Sequence, residues 1–234
     1  MKKSILTAAL LICTSIFAQS KKISFGFGLS NPTGKFSGTN TNDSSQGFGQ
    51  IGSNFNLMFE SLNEKNIGYY IQYNTTGIGF DLEDYQAKIG RNILINDGAS
   101  SKRYNITSLN FGVASKFNII KAIEVSSNIG LGISSCRDNS FTLHYIEKAT
   151  LDKYSWKKDE NKSTNINFNI NLRFNFNLST KTQLFIGTIY QWQKTTFKPT
   201  YTFYLNDKKT NSRTQNEKKG MDFNVINFGL AFKL

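Results

Sequence analysis

Few residues in this chain have the type and spacing needed for covalent chemistry. His144 is the single histidine, so a histidine metal site within one chain is excluded. Ser140, His144 and Glu147 lie close together and offer a nucleophile, a base and an acid. On one extended strand Ser140 and His144 share a face while Glu147 points to the other. They are read as ordinary residues of a long connection. No catalytic residue is assigned, and the expectation is a protein without enzymatic activity, cofactor or metal. Cys13 and Cys136 are the two cysteines. Cys13 falls in an N-terminal leader, which leaves Cys136 without a disulfide partner, an inert residue at a strand end. Gly26-Phe27-Gly28 lacks the helix and the full spacing of a phosphate loop.

A second constellation is made of charges. Lys116 and Glu124 flank a short turn at equal distance from residue 120, so a symmetric hairpin sets them side by side on adjacent strands, where opposite charges attract. Arg173 lies on the following strand, and Glu60 ends an earlier strand at the same rim. These four are expected to form an ionic network inside a closed sheet. Two long segments also carry charge. Lys194–Gly220 holds seven basic residues against Asp207 and Glu217, and Ser134–Ser163 is nearly balanced. Such surfaces suit lipopolysaccharide phosphates or another anionic partner. The plainer reading, a solvated and mobile loop, is the expected one.

The elements that must position these residues show most clearly at Thr164–Leu178. Ile166, Phe168, Ile170, Leu172, Phe174, Phe176 and Leu178 share one parity, with five asparagines among Asn165–Asn175 and Asn177 on the other beside Arg173. A period of two puts apolar and polar side chains on opposite faces of a strand. A long strand with one wholly apolar face suits a closed barrel in lipid. Seven further segments alternate in the same way: Ile23–Leu29, Ile51–Glu60, Ile67–Asn74, Ser108–Phe117, Ile123–Ile133, Leu184–Gln193 and Ile226–Leu234. Short connections (61–66, 118–122, 179–182) alternate with long ones (31–47, 76–103, 134–163, 194–220), as in barrels with short periplasmic turns and long outer loops. Two aromatic girdles are expected: Tyr73, Tyr190 and Trp192 at the outer interface, and Phe59, Phe117, Phe176 and Phe232 at the periplasmic one. The inner parity is mostly Asn, Gln, Gly and Ser, and an eight-stranded barrel is only wide enough to be filled by such side chains. An interior exchange such as Asn169→Ser is expected to be mild.

Met1-Lys2-Lys3, an apolar run from Ile5 to Phe17 and small residues at Ala18 and Ser20 form a secretory signal peptide, with residues 1–18 removed and 19–234 forming one barrel domain. The run is too short to span a membrane as a helix. The formal charge is +12, yet nucleic acid is not an expected partner of an exported chain. A mean hydropathy of −0.37 fits alternating lipid-facing and interior residues.

The last eight residues, with Asn227, Gly229, Phe232 and Leu234 at their marked positions, resemble the C-terminal signal read by the outer-membrane barrel-assembly machinery. The whole pattern resembles the small eight-stranded outer-membrane barrels with an OmpA- or OmpX-like membrane domain. It is most similar to the porin-family group of outer-membrane β-barrel domains common in Bacteroidota. That resemblance implies an all-β, eight-stranded antiparallel transmembrane barrel of meander topology in a Gram-negative outer membrane. Its termini would be periplasmic and its long loops extracellular, with lipid, lipopolysaccharide and the assembly machinery as partners. The expected role is at the surface or envelope: integrity, adhesion or limited passage of a small solute. The alternatives are an accessory barrel of a secretion or assembly machine, a lipid A-modifying enzyme, or a soluble lipocalin-like binder. An unidentified surface or secretion partner stays open.

Overall fold

A computed structural model describes residues 20–234 apart from 42, 44, 45, 90–93, 96–99, 147–149 and 151. The signal-peptide segment, Cys13 and Glu147 lie outside the described residues. Strands β1 (Ser20–Thr33), β2 (Gly49–Leu62) and β3 (Ile67–Phe80) are followed by helix α1 (Leu82–Ile89) and two short strands, β4 (Leu94–Ile95) and β5 (Ser100–Ser101). Next come β6 (Tyr104–Ile120), β7 (Ile123–Arg137), β8 (Phe141–Ile146), β9 (Lys153–Lys158), β10 (Lys162–Asn177) and β11 (Thr182–Phe197). The last are β12 (Thr200–Leu205), β13 (Lys208–Thr214), β14 (Glu217–Gly220) and β15 (Asp222–Lys233).

Eight of these strands close into an antiparallel barrel in the order β1-β2-β3-β6-β7-β10-β11-β15, with β15 pairing back onto β1. Each strand therefore pairs with its neighbours in sequence, which is a meander. Following the pairing once round, from Phe176 through Leu184, Leu230, Phe25, Leu57, Tyr73, Leu109 and Ile133, returns to β10 at Ile166, an offset of 10 residues. With eight strands, that stagger sets a tilt of about 40° and a backbone radius of about 8 Å. A 14-residue strand at that tilt rises roughly 35 Å, enough to cross a hydrocarbon core of about 30 Å.

The alternation sorts side chains as a bilayer requires. Outward residues are apolar and bare: Ile166 is 74% exposed, Ile133 63% and Phe228 62%. Inward residues include Asn56, Gln72, Asn110, Asn128, Asn169 and Asn171, all buried. Hydrogen bonds cross the lumen, as from Tyr70 Oη of β3 to Asn169 Oδ1 of β10 at 2.6 Å. Gly130 makes room for that tyrosine, because a Cβ there would lie 2.4 Å from its hydroxyl. The interior is not polar throughout. Towards the long-loop end, inward Ile78, Ile106, Cys136, Ile189, Phe223 and Val225 pack with Phe36 and Phe197 into an apolar core. Asn169 itself accepts from Tyr70 and donates to Gln72 at 3.1 Å, two contacts that a serine at this position is too short to keep.

The long connections are not loose loops. They build a second sheet in the order β13-β12-β9-β8-β4, with β5 on β8. The expectation of a solvated, mobile 194–220 segment is corrected by β12, β13 and β14 within it. The β12–β13 hairpin turns at Asn206 and Asp207, both at positive φ (48° and 65°), as a tight two-residue turn demands. β14 extends the barrel wall by pairing with the far end of β11. Helix α1 begins where Asp81 Oδ1 accepts the Asp84 N–H at 2.9 Å, a side-chain cap, and it carries Tyr85 over the long-loop end.

Candidate functional site

The short-turn end of the lumen holds the charged residues read from the sequence. Arg173 Nη2 meets Glu60 Oε1 at 2.7 Å, and Lys116 Nζ meets Glu124 Oε2 at 3.6 Å. Lys22 Nζ joins the two halves, 3.2 Å from Glu60 and 3.0 Å from Glu124. Lys22 is on β1 and Glu124 on β7, half-way round the barrel, so the network crosses the lumen. Glu60 also accepts from Asn128 at 3.1 Å, Arg173 donates to Ser24 at 2.8 Å, and its guanidinium lies 5.1 Å from the Phe185 ring centre. The symmetric hairpin is corrected. A bulge between Asn118 and Ile120 sets Asn118 opposite Glu124 and Lys116 opposite Ser126, so the lysine reaches its acid diagonally. Lys22 precedes the apolar alternation that begins at Ile23, and its inward parity, shared with Ser24, is the signal that places it in the lumen.

The aromatic positions divide less evenly. Phe117 and Phe176 face outward near the short turns. Phe232 stacks on Phe25 across the closing seam, ring centres 5.5 Å apart, and Phe59 packs on Tyr69. Trp192 is exposed in the far half of β11, while Tyr190 is corrected: β11 continues to Phe197, so this partly covered tyrosine stands at mid-strand, opposite Ile170 of β10. Tyr73 is corrected: because β3 continues to Phe80, it stands at mid-strand rather than near the outer end. At the C terminus Asn227 is buried in the lumen and Gly229 lies flat against Phe25 and Phe185, while Leu234 is exposed.

The long-loop end carries a site that the sequence reading did not find. Asp138, Lys158, Glu217 and Lys219 form a closed ring of ion pairs: Lys158–Asp138 2.6 Å, Lys158–Glu217 3.1 Å, Lys219–Glu217 3.1 Å and Lys219–Asp138 3.3 Å. All four are nearly inaccessible to solvent. Two tyrosines complete it: Lys219 Nζ donates to Tyr104 Oη at 3.1 Å, and Tyr201 Oη donates to Glu217 Oε1. Burial alone would raise the Glu217 carboxyl, but Lys219 and Lys158 outweigh it and hold the pKa at about 2. Burial would lower the Lys219 ammonium, yet Asp138, Tyr104 and Glu217 drive it well above the usual lysine range. Above the ring, Tyr85 packs against Phe48, Phe80, Phe141 and Trp156 at ring-centre distances of 5.0–6.3 Å. Between ring and aromatics is a cavity of about 200 Å³.

Ser140 precedes β8 and His144 sits exposed within it, paired across the sheet with Ser155. Neither hydrogen bonds to the other among the described residues. Cys136 is buried in the apolar core, where Gln193 Nε2 donates to its sulfur at 3.1 Å. No group of three or more His, Cys, Asp or Glu suited to a metal occurs among the described residues.

No protein-family model matches the sequence, and no curated protein matches it. Solved structures do. Neisserial surface protein A is 8% identical with a TM-score of 0.51, covering 92% of this chain and 97% of its own. The attachment invasion locus protein Ail of Yersinia pestis is 12% identical with a TM-score of 0.41, over 92% of this chain and 97% of its own. A major outer membrane protein from Thermus thermophilus is 13% identical with a TM-score of 0.46, over 92% and 100%. At these identities the likeness is one of fold, and the first of the three carries it. The chain has the eight-stranded transmembrane β-barrel architecture that Neisserial surface protein A also has.

Proposed function

We propose that this chain is an integral outer-membrane protein with a non-enzymatic surface or envelope role. The observation that carries the reading is a bare apolar exterior around a filled lumen that is polar over most of its height. A soluble barrel would reverse the two, because exposed apolar area in water is unfavourable by about 25 cal/mol per Å². The lumen is crossed by ion pairs and hydrogen bonds, which favours integrity or adhesion over solute passage. The long-loop end faces outward from the cell and the termini face the periplasm, an assignment that rests on the folded second sheet at one end and the tight turns at the other. Lipid and lipopolysaccharide are the surrounding partners. At the upper rim, outward-facing Lys162 stands opposite Arg137, which also bridges Glu160 at 3.2 Å, and Lys194 Nζ lies 5.7 Å over the Trp192 ring. Such cations suit the phosphates of an anionic leaflet. The barrel-assembly machinery is the biogenesis partner through Asn227, Gly229, Phe232 and Leu234. Nucleic acid has no part.

Membrane fractionation and heat-dependent gel migration test the location, and trypsin on intact cells tests the orientation. Cleavage is expected after Lys208 or Lys209 at the exposed β12–β13 hairpin, with Lys65 in the 63–66 turn spared. Recovery in the soluble fraction would overturn the membrane reading. Cleavage at Lys65 alone would invert the orientation.

A further inference from the structure

The cavity at the long-loop end has walls and a floor of different chemistry, and together they select a ligand. The walls are aromatic, with Phe48, Phe80, Tyr85, Phe141 and Trp156 turned inward. Such faces take up flat apolar C–H surface. The floor is charged, but its charges are spent on one another, since Lys158 and Lys219 each bridge Asp138 and Glu217. The ring is neutral overall, so a charged ligand that reaches the floor would have to break an existing pair to gain one; the other charges of the lining lie nearer solvent, Asp43 bridged to Lys35 and Arg213 donating to Gln215. Two buried donors on residues that line the cavity are uncommitted. Asn139 is fully buried, and its Oδ1 accepts from Lys158 at 3.1 Å while its Nδ2 has no protein partner. Trp156 Nε1 is likewise buried without one. Buried donors are ordinarily met, and both of these residues line the cavity.

We propose that this cavity is a binding site for an uncharged, hydroxyl-rich ligand the size of one pyranose ring. The ring's C–H faces lie against Trp156, Tyr85 and Phe141, and its oxygens accept from Asn139 Nδ2 and Trp156 Nε1. A wholly apolar ligand would leave both donors unmet. An anion or a cation would compete with the acids or the lysines of the ring. The two tyrosine hydroxyls of the floor are held in place, since Tyr104 Oη donates to Gly47 O at 2.8 Å and Tyr201 is committed to Glu217, so the floor is preorganised. The site stands on the geometry of the long-loop sheet and does not depend on which side of a membrane that sheet faces.

The test uses the full-length protein in detergent with Trp192→Phe, which leaves Trp156 as the single tryptophan of the chain's two. Methyl glycosides of D-glucose, D-galactose, D-mannose and L-fucose, together with N-acetyl-D-glucosamine, are titrated while its emission is followed. Glucose 6-phosphate and glucosamine serve as anionic and cationic counterparts. At least one neutral sugar is expected to bind saturably in the millimolar range, with both charged forms weaker. Asn139→Ala should weaken that sugar by about fivefold or more. Tyr85→Ala, which removes a wall but no member of the ion-pair ring, should do the same, and Lys65→Ala should change nothing. If no neutral sugar of the five saturates, or if a charged form binds as tightly, the proposal fails. It fails equally if both wall and donor variants fold and bind like the parent.

Discussion

Replacing Glu60 by alanine isolates what the lumen network contributes. The carboxylate is 2% exposed and takes three donors at once: Arg173 at 2.7 Å, Asn128 at 3.1 Å and Lys22 at 3.2 Å. Once it is gone, Arg173, Lys22 and Lys116 face Glu124 as the remaining acid of the cluster, and Arg173, fully buried, keeps Ser24, the Met58 sulfur at 3.7 Å and the Phe185 ring, none of them charged. Removing one partner of a buried pair costs about 3–5 kcal/mol, because an uncompensated charge remains. An exposed pair would cost roughly 0–1 kcal/mol. The buried figure applies here, since neither Glu60 nor Arg173 reaches solvent. Urea unfolding of the detergent-folded barrel, followed by tryptophan emission and far-UV dichroism, gives the difference from the midpoints at a common slope. Glu60→Gln, which keeps the shape and one acceptor, should cost less than Glu60→Ala. Glu60→Leu combined with Arg173→Met should cost less than the sum of the two single changes. A Glu60→Ala loss under about 1 kcal/mol would refute the claim that the lumen is closed to water at this level.

Further outcomes follow from the same geometry. Leu172→Arg, outward on β10, should cost about 2–4 kcal/mol near the bilayer midplane, and Asn169→Ser should cost about 1–3 kcal/mol by stranding Tyr70 and Gln72. Urea titrations of both variants in lipid check this. The Glu217 carboxyl is depressed to about 2, so its contribution is fully present above the unfolded carboxylate pKa of about 4.3 and is lost as pH falls towards 2, on the order of 3 kcal/mol. Hydrogen exchange in β12 and β14 should rise across that window, and Glu217→Gln should flatten the dependence. In planar bilayers the wild-type protein should show no large, stable single channels, because Tyr70, Arg173 and the apolar core fill the bore.

The barrel was legible because lipid imposes a strict period of two, and Thr164–Leu178 obeys it without exception. Where that constraint ends, legibility ends. β9, Lys153–Lys158, lies outside the apolar belt and reads KYSWKK, with no alternation to separate the buried Lys158 from the exposed Lys157. Asp138 and Lys219 meet from positions 81 residues apart, and each looked like one charge among many in a polar segment. One trace was available: Glu217 and Lys219 share a parity with Lys218 on the other, so a strand there would turn an acid and a base to the same side. The lumen network was nearer to hand because its members sit at strand ends whose parity is fixed. Only the bulge at Asn118–Ile120 was out of reach, because no parity marks a one-residue shift of register.

The position of Lys22 has a consequence for time as well as for equilibrium. Its partners lie on β2 and on β7 across the lumen, and Arg173 reaches back from β10 to Ser24 of β1. The seam that brings β1 against β15 joins the two ends of the described chain. Contacts between such distant segments form late, after the intervening chain has been ordered. The ion pairs across the lumen are therefore absent from the barrel until the seam shuts. Interactions missing from the transition state act on the rate of escape rather than the rate of arrival. The network serves as a latch: its loss would leave the pace of insertion almost unchanged and shorten the lifetime of the finished barrel.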